Sequence, residues 1–543
     1  MTVVGLSARV RRELTYLSYP AREWTLPRYR DGARVLDVLI VGAGQGGLAT
    51  AFGLNRERIK NIKVVDRNSR GLEGPWRRFA RMKELRTVKE VTGMELGMPS
   101  LTVRAWYEAR FGRREWKRIE KLPPEVWRSY LDWYRDVLEL PVENEVEVTL
   151  IEPAGDLLLA HLRRTGQIER VYARKIVLAT GIEGSGRWRA PQALVGNLSG
   201  ERYAHSSEEI NFSRLAGKHV GVLGVGPSAL DNAAAALEGG ATRVDVCLRR
   251  AEIPRINPLV WMNFSGMLAH FGELSNLERW RFMRHILEEL PAPPPQDAFW
   301  RCRRFKNFFW HTNCPWRSVR DEGDVAVVET DARTFKFDFI IFATGFETDL
   351  STRRELAPLV HQIALWRDRF TPPPGEESEL LATHPYLGPA FEFTEREPGT
   401  APFLSRLHNF TLGAMPSVGL TGSATTGIKY GVPRLVNGLA RDLFREDADE
   451  YYRDLLAYSE PELKTLDSAF TWVSRLGTEA IDAGKSVDSA EGAVMHKREL
   501  EAAMSTVERA LKFLKQKPKS ESASKSTRGR GQRKPTSRAA RSL

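Results

Sequence analysis

Four stretches of the chain share one pattern, an unbroken apolar run rich in β-branched residues that ends abruptly in small ones. They are LDVLIVGAGQGG at 36–47, RKIVLATG at 174–181, KHVGVLGVGPSA at 218–229 and FDFIIFATGF at 337–346. Continuous apolar runs of this length predict strands buried on both faces, as in a parallel sheet covered by helices. Two end in glycine turns followed by small-residue helical stretches, and two end in Ala-Thr-Gly, in alternating order. That order predicts an α/β chain with two Rossmann-like dinucleotide-binding domains, the second inserted into the first. The first domain is expected over 34–190, leaving its sheet after Gly181 and resuming over 336–445 once the chain returns through Phe337–Phe346. The inserted domain is expected over 205–335. Between them, Pro191, Gly196 and Gly200 mark a connecting loop.

Elsewhere the pattern changes. Residues 251–316 depart from strand and helix alternation and hold five of the fourteen tryptophans together with PAPPP. This aromatic-rich insertion reads first as core, with a lid over the site as the alternative. After Tyr430 the spacing is that of amphipathic helices, giving a helical extension over 446–514. Residues 515–543 are rich in Ser, Lys, Arg and Gly with few apolar residues, which predicts a disordered basic tail. Between Lys512 and Leu543 stand eleven Lys or Arg and one Glu, so ten of the twelve net positive charges belong to the C-terminal end and the body is nearly neutral. The tail reads as a solvated segment, with an arm that contacts nucleic acid or another polyanion as the alternative.

Composition narrows the class. A chain of 543 residues, 42% hydrophobic and 28% charged, has room for several domains with substantial cores and the balance of a soluble globular protein. Cys247, Cys302 and Cys314 show neither a disulfide framework nor metal-ligand spacing, so no disulfide or metal site is expected. The N-terminus lacks a signal-peptide core and no run reaches membrane-spanning length, which predicts a cytoplasmic protein.

The charge beside each glycine turn distinguishes the two nucleotide sites. In the first, Gly42, Gly44 and Gly47 satisfy G-x-G-x-x-G, and the next strand, NIKVVDR, ends at Asp66. The glycines allow a tight turn, close approach to a pyrophosphate and packing of helix on strand. A carboxylate at that strand end accepts from ribose hydroxyls and repels a 2′-phosphate, so this site should hold the ADP half of FAD or NAD. In the second, Gly224, Gly226 and Ala229, with Ser228 among them, precede RVDVCLRR, which ends in Arg249 and Arg250. Guanidinium groups pair with a phosphate dianion, which points to NADPH. Acid at one site and arginine at the other suit hydride transfer from NADPH to a resident flavin, so FAD is assigned to the first. The ATG ends, Thr180 and Gly181 and Thr344 and Gly345, join the candidate cofactor contacts. So do Thr426 and Gly427, where small residues precede a helix whose positive end can face the flavin's pyrimidine edge.

These features resemble the class B flavoprotein monooxygenases, which include flavin-containing monooxygenases, Baeyer–Villiger monooxygenases and lysine and ornithine N-hydroxylases. The resemblance covers residues 36–445 and rests on four features: the two fingerprints, EGPW with Trp76 where the family often has G-G-x-W, the stretch VWRSYLDWYRDVLELPVENEVEV, which resembles the helix before the family's β-meander, and DFIIFATGF. Oxygenating members carry F-x-G-x-x-x-H followed four residues on by an aromatic. Here His205 lies one residue further from Gly200, and Glu209 takes the aromatic's place. These departures favour an N-hydroxylase-like or divergent subgroup, with His205 either a hinge or a linker residue.

The resemblance implies an NADPH-dependent monooxygenase that forms a C4a-(hydro)peroxyflavin and inserts one oxygen atom from O2 into a small organic substrate, by amine N-hydroxylation or a related reaction. Because the cofactor carries the chemistry, no protein nucleophile is required. Lys89, His408 and Asn409 are candidates near the flavin, and none is assigned a catalytic role. Two alternatives stay open: an NADPH-dependent flavin reductase or dehydrogenase without oxygenation, and an FAD-binding interaction protein with a basic tail. A disulfide reductase is set aside because the sequence shows no close cysteine pair.

Overall fold

The computed structural model describes residues 2–18, 22–188, 190–420 and 424–462, together with positions 505, 508, 509 and 512. Residues up to Asp449 form one compact unit, and the chain from Glu450 forms a second. A small ribbon, β1 (Tyr29–Arg30) with β2 (Ala33–Arg34), precedes the first sheet. That sheet contains β3 (Leu36–Val41), β4 (Ile62–Asp66), β5 (Val142–Asn144), β6 (Glu147–Ala154), β7 (Leu157–Arg164) and β8 (Gln167–Leu178). β5, β4, β3 and β8 lie side by side in parallel, and β6, β7 and β8 form an antiparallel meander. β8 serves both parts. Its first half pairs with β7, and its second half, from Ala173 to Leu178, pairs with β3 from Leu36 to Val41.

The chain leaves this sheet through β9 (Gly186–Trp188) and enters a second, five-stranded sheet. The second sheet uses β10 (Tyr203–His205), β11 (His219–Leu223), β12 (Arg243–Cys247) and β13 (Phe308–His311), all parallel. β14 (Trp316–Asp321), β15 (Ala326–Thr330) and β16 (Thr334–Phe337) form an antiparallel sheet whose Trp316, Phe335 and Phe337 share a core cluster with Cys247 and Phe342. β17 (Phe339–Phe342) then enters the second sheet between β10 and β11, with Ile340 opposite both Tyr203 and Gly221. The chain returns through β18 (Phe346–Thr348), which pairs antiparallel with β9, and adds β19 (Leu407–Asn409) beside β8.

All four apolar runs are strands, each buried over most of its length as a parallel sheet between helices requires. The fold is α/β with two Rossmann-like halves, the second interrupting the first, and a helix, Ala448–Ala457, near the end of the described chain. Three expected boundaries move. The inserted half begins at β10, two residues before 205. It runs beyond 335, because β17 pairs with β11 and not with the first sheet, so the return lies after Phe346 and not at 336. The aromatic insertion of 251–316 stops short of Phe308, because β13 completes the second sheet beside β12. Trp280 of that insertion is core, packed with Trp366 and Met415, whereas Trp261 and Trp300 are exposed. Most of the 446–514 extension and all of the 515–543 tail lie outside the described residues. No described helix is long and apolar enough to cross a membrane.

Buried charge fastens the last long helix, Ile428–Glu446, to the first sheet. Arg174 on β8 is fully buried and reaches Asp447 at 2.8 Å and Glu446 at 3.1 Å, while Lys175 reaches Glu446 at 2.9 Å. Removing one partner would leave an uncompensated buried charge at a cost of about 3–5 kcal/mol.

Candidate functional site

The two glycine turns are built alike. Gly42 follows β3 at φ +105°, and a Cβ there would stand 2.5 Å from the Ala179 carbonyl oxygen. Gly224 follows β11 at φ +132°, and a Cβ there would stand 2.4 Å from the Ala343 carbonyl oxygen. Each ATG therefore ends the strand next to a fingerprint and packs against its first glycine, which explains why the two motifs come in pairs. Gly47 serves packing, since its Cβ would lie 1.8 Å from the Gly42 carbonyl oxygen. Gly44 and Gly226 are different: a Cβ at either position would meet nothing within 4 Å. Each is the N-cap of a helix, Gln45–Arg56 or Pro227–Glu238, whose first turn leaves backbone N–H groups without helical partners.

A cavity of about 540 Å³ opens at the first turn. Of the expected residues, Gly42, Gly44, Asp66, Trp76, Thr180 and Gly181 line it. The buried Asp66 carboxylate accepts from the Ala43 N–H at 2.8 Å and from the Asn68 N–H and side-chain amide at 2.8 and 2.9 Å. It thus joins the glycine turn to the end of β4 and retains acceptor capacity toward the cavity. The loop that carries Trp76 is anchored at the buried Glu73, which meets Arg128 and Arg135 at 3.2 Å and accepts from Asn144 at 2.7 Å, and the Trp76 ring packs edge-on against Trp127. Two buried donors on the wall, Thr180 Oγ1 and Trp188 Nε1, have no hydrogen-bond partner among the described residues. Unpaired buried donors, an open position at Gly44 and a helix that begins at Gln45 on the same wall fit a dinucleotide that brings its own acceptors.

Around the second turn, Ser228 and the buried Ala229 occupy the first turn of helix Pro227–Glu238, and Thr344 and Gly345 follow β17. Arg249 is exposed just beyond β12, and Arg250 donates to the Glu288 carbonyl oxygen at 3.2 Å. Neither turn nor arginines line the 540 Å³ cavity. Thr426 and Gly427 stand in a short turn before helix Ile428–Glu446, where the neighbouring Thr425 hydroxyl lies 3.4 Å from the Gln45 side chain. The helix therefore starts beside the first fingerprint, although Thr421–Ser423 fall outside the described residues.

The remaining candidates separate cleanly. Lys89 donates to the Trp116 and Ile119 carbonyls, away from the cavity. Asn409 is buried and bonds Ser185 and Thr411, and His408 bonds the Ala390 carbonyl at 2.8 Å, its pKa pushed down to about 4 by burial and by Lys175. All three are framework residues in this structure. His205 is buried at the end of β10, where its ring lies 5.6 Å from that of Trp188 on the cavity wall, and burial pushes its pKa to about 4. Glu209 meets Arg78 at 3.3 Å, so an ion pair occupies the position of the family's aromatic. Cys247 lies against Cys314 in the core of the second half, a pairing the sequence spacing did not suggest. Both thiols are buried and neither lines the cavity.

Sequence reasoning missed Trp188, Arg354 and Phe410, which line the cavity from crossings or from the segment after β19. It also missed Arg78, although GPWRRF at 74–79 lay next to a named motif.

Residues 39–269 match the pyridine nucleotide-disulphide oxidoreductase family. The FAD-dependent urate hydroxylase of Xanthomonas campestris pv. campestris is 41% identical over 464 residues, covering 85% of this chain and 97% of that protein. Among solved structures, the ornithine N-hydroxylase of Kutzneria sp. 744, determined with reduced FAD, NADP+ and L-ornithine, superposes with a TM-score of 0.58 at 16% identity, over 75% of this chain and 99% of its own. L-lysine 6-monooxygenase of Pseudomonas syringae gives the same values. These two likenesses concern the fold, whereas the hydroxylase matches along nearly its whole length. On that whole-length identity, and with a glycine turn and its ATG strand present in both halves, the chain belongs to the class B flavoprotein monooxygenases and is an FAD-dependent oxidoreductase.

Proposed function

We propose that the protein is an NADPH-dependent hydroxylase of urate or a closely related oxidised purine, with FAD at the first turn and NADPH at the second. The observation that carries this reading is the contrast between two equivalent strand ends: Asp66, a buried carboxylate on the wall of a cavity, and Arg249 with Arg250, guanidinium groups beside an open turn. The acid disfavours a 2′-phosphate and the arginines favour one. When bound, the flavin would supply the redox chemistry that couples oxidation of NADPH to transfer of one oxygen atom of O2 to the substrate, the other leaving as water. Gly42, Gly44, Asp66, Trp76, Thr180 and Gly181 would hold FAD. Gly224, Gly226, Ser228, Ala229, Arg249 and Arg250, with Thr344 and Gly345 beneath them, would hold NADPH. Helix Ile428–Glu446 would direct its positive end, at Thr426 and Gly427, toward the flavin.

The substrate is taken from the relative of 41% identity, named for urate, in preference to the amines of the N-hydroxylases, whose 16% likeness concerns the fold alone. The Arg78–Glu209 pair in place of the family's aromatic favours one rival, a reductase that releases hydrogen peroxide. A single assay separates the two readings. NADPH oxidation should be stimulated by urate, with urate consumed and little peroxide formed. One peroxide per NADPH, whether or not urate is present, would replace the hydroxylase reading with the reductase.

A further inference from the structure

The cavity at the first turn is walled partly by the two segments that carry the chain between the sheets. Ile182, Glu183 and Trp188 belong to the outgoing crossing, and Thr352, Arg353, Arg354 and Glu355 to the return. The crossings are tied to each other through the β9–β18 ribbon and through the Asp349 N–H, which donates to the Ser185 carbonyl at 2.9 Å.

Among the described residues, five arginines line this cavity: Arg67, Arg78, Arg163, Arg353 and Arg354. Four of them already face a carboxylate. Arg67 meets Glu183 at 2.9 Å, Arg78 meets Glu209 at 3.3 Å, Arg163 meets Glu147, and Arg353 meets Glu355. Arg354 alone has no carboxylate within ion-pair distance among the described residues. Its side chain is exposed, but its backbone is fixed, because the next two residues, Glu355 and Leu356, are buried and the turn Arg354–Leu356 packs against β6.

We propose that Arg354 is a cofactor-binding residue that supplies counter-charge to the diphosphate of FAD from the return crossing. The inference rests on FAD occupying the first cavity. The diphosphate carries two negative charges, and the helix N-terminus at Gln45 offsets only part of them. A guanidinium not already committed to a carboxylate pairs with phosphate through charge-assisted, bidentate bonds. Because the Arg354 side chain is exposed, solvent and salt weaken this pairing, so the expected effect is moderate.

The test is equilibrium binding to the flavin-free full chain, followed by flavin fluorescence. Arg354→Gln should raise the FAD Kd about tenfold, a change of roughly 1.4 kcal/mol. Arg354→Lys should recover part of the loss. The variant's FAD affinity should depend less on ionic strength than the wild type's, and riboflavin, which lacks the diphosphate, should bind both proteins equally. Wild-type FAD affinity in Arg354→Gln overturns the assignment. So does an equal loss for FAD and riboflavin, which would mean that the pocket had collapsed. A wild-type chain that takes up no FAD overturns the occupancy on which the inference rests, and this is seen before any variant is made.

Discussion

The two nucleotide-binding halves use the same backbone device for different tasks. Both end a strand in a glycine turn braced by an ATG strand, and both leave one glycine facing open space. The first turn opens into a cavity walled by the β-meander, the EGPW loop and both crossings, while the second lies outside that cavity with Arg249 exposed beside it. Walls drawn from many parts of the chain suit a resident cofactor, and an open turn suits a nucleotide that arrives and leaves. The difference lies in what surrounds the turn and not in the turn itself.

The largest expected effects break one half and spare the other. Gly44→Val should leave the fold intact, because the new side chain points into open space, yet abolish FAD retention, because that space belongs to the diphosphate. Gly226→Val should retain FAD but lose reduction by NADPH. Flavin-to-protein ratios after gel filtration and anaerobic reduction rates measure the two outcomes. If Gly226→Val also lost its flavin, the division of labour would fail. Gly47→Val serves as a contrast. With 1.8 Å to the Gly42 carbonyl, it should destabilise the fold by more than the roughly 1–3 kcal/mol typical of overpacking.

Next in size is the charge at the second turn. Replacing Arg249 and Arg250 with Ala should raise the KM for NADPH by about 10–100-fold and hardly change that for NADH, since each charge-assisted bond contributes roughly 1.5–3 kcal/mol. Equal losses for both nucleotides would remove the argument from charge.

A smaller effect concerns acid. His408 in the first sheet and His205 in the second are buried, with pKa values pushed to about 4. An unfolded histidine titrates near 6.5. Between those values the unfolded chain binds more protons, so the stability these residues confer is complete above pH 6.5 and is lost as pH falls toward 4. By pH 5 the loss should be on the order of 2 kcal/mol per histidine. Urea unfolding at pH 7 and pH 5 should show it, and His408→Gln should flatten the dependence. Smallest of all, deletion after Leu514 should change neither flavin content nor turnover.

Local chemistry was legible in the sequence, and long-range pairing was not. An apolar run ending in ATG reveals a buried strand next to a glycine turn, but not which of two similar sheets it joins. β17 was therefore expected in the first sheet, although its partners, Tyr203 and Gly221, lie more than a hundred residues away in the second. The same limit hid Trp188, Arg354 and Phe410, which reach the cavity only because the chain crosses beside it twice and comes back along β19. Lys89, His408 and Asn409, which the sequence offered as candidates without a role, show the converse: Lys89 is half-buried and the other two are buried, and each hydrogen-bonds to the framework.

The central claim is that one half holds FAD while the other delivers NADPH to it. The most direct test is the visible absorption spectrum of the purified protein, recorded anaerobically before and after addition of NADPH or NADH. The account predicts a flavin spectrum that NADPH bleaches much faster than NADH does. A colourless protein that takes up no FAD, or a bound flavin that both nucleotides reduce equally slowly, would contradict it.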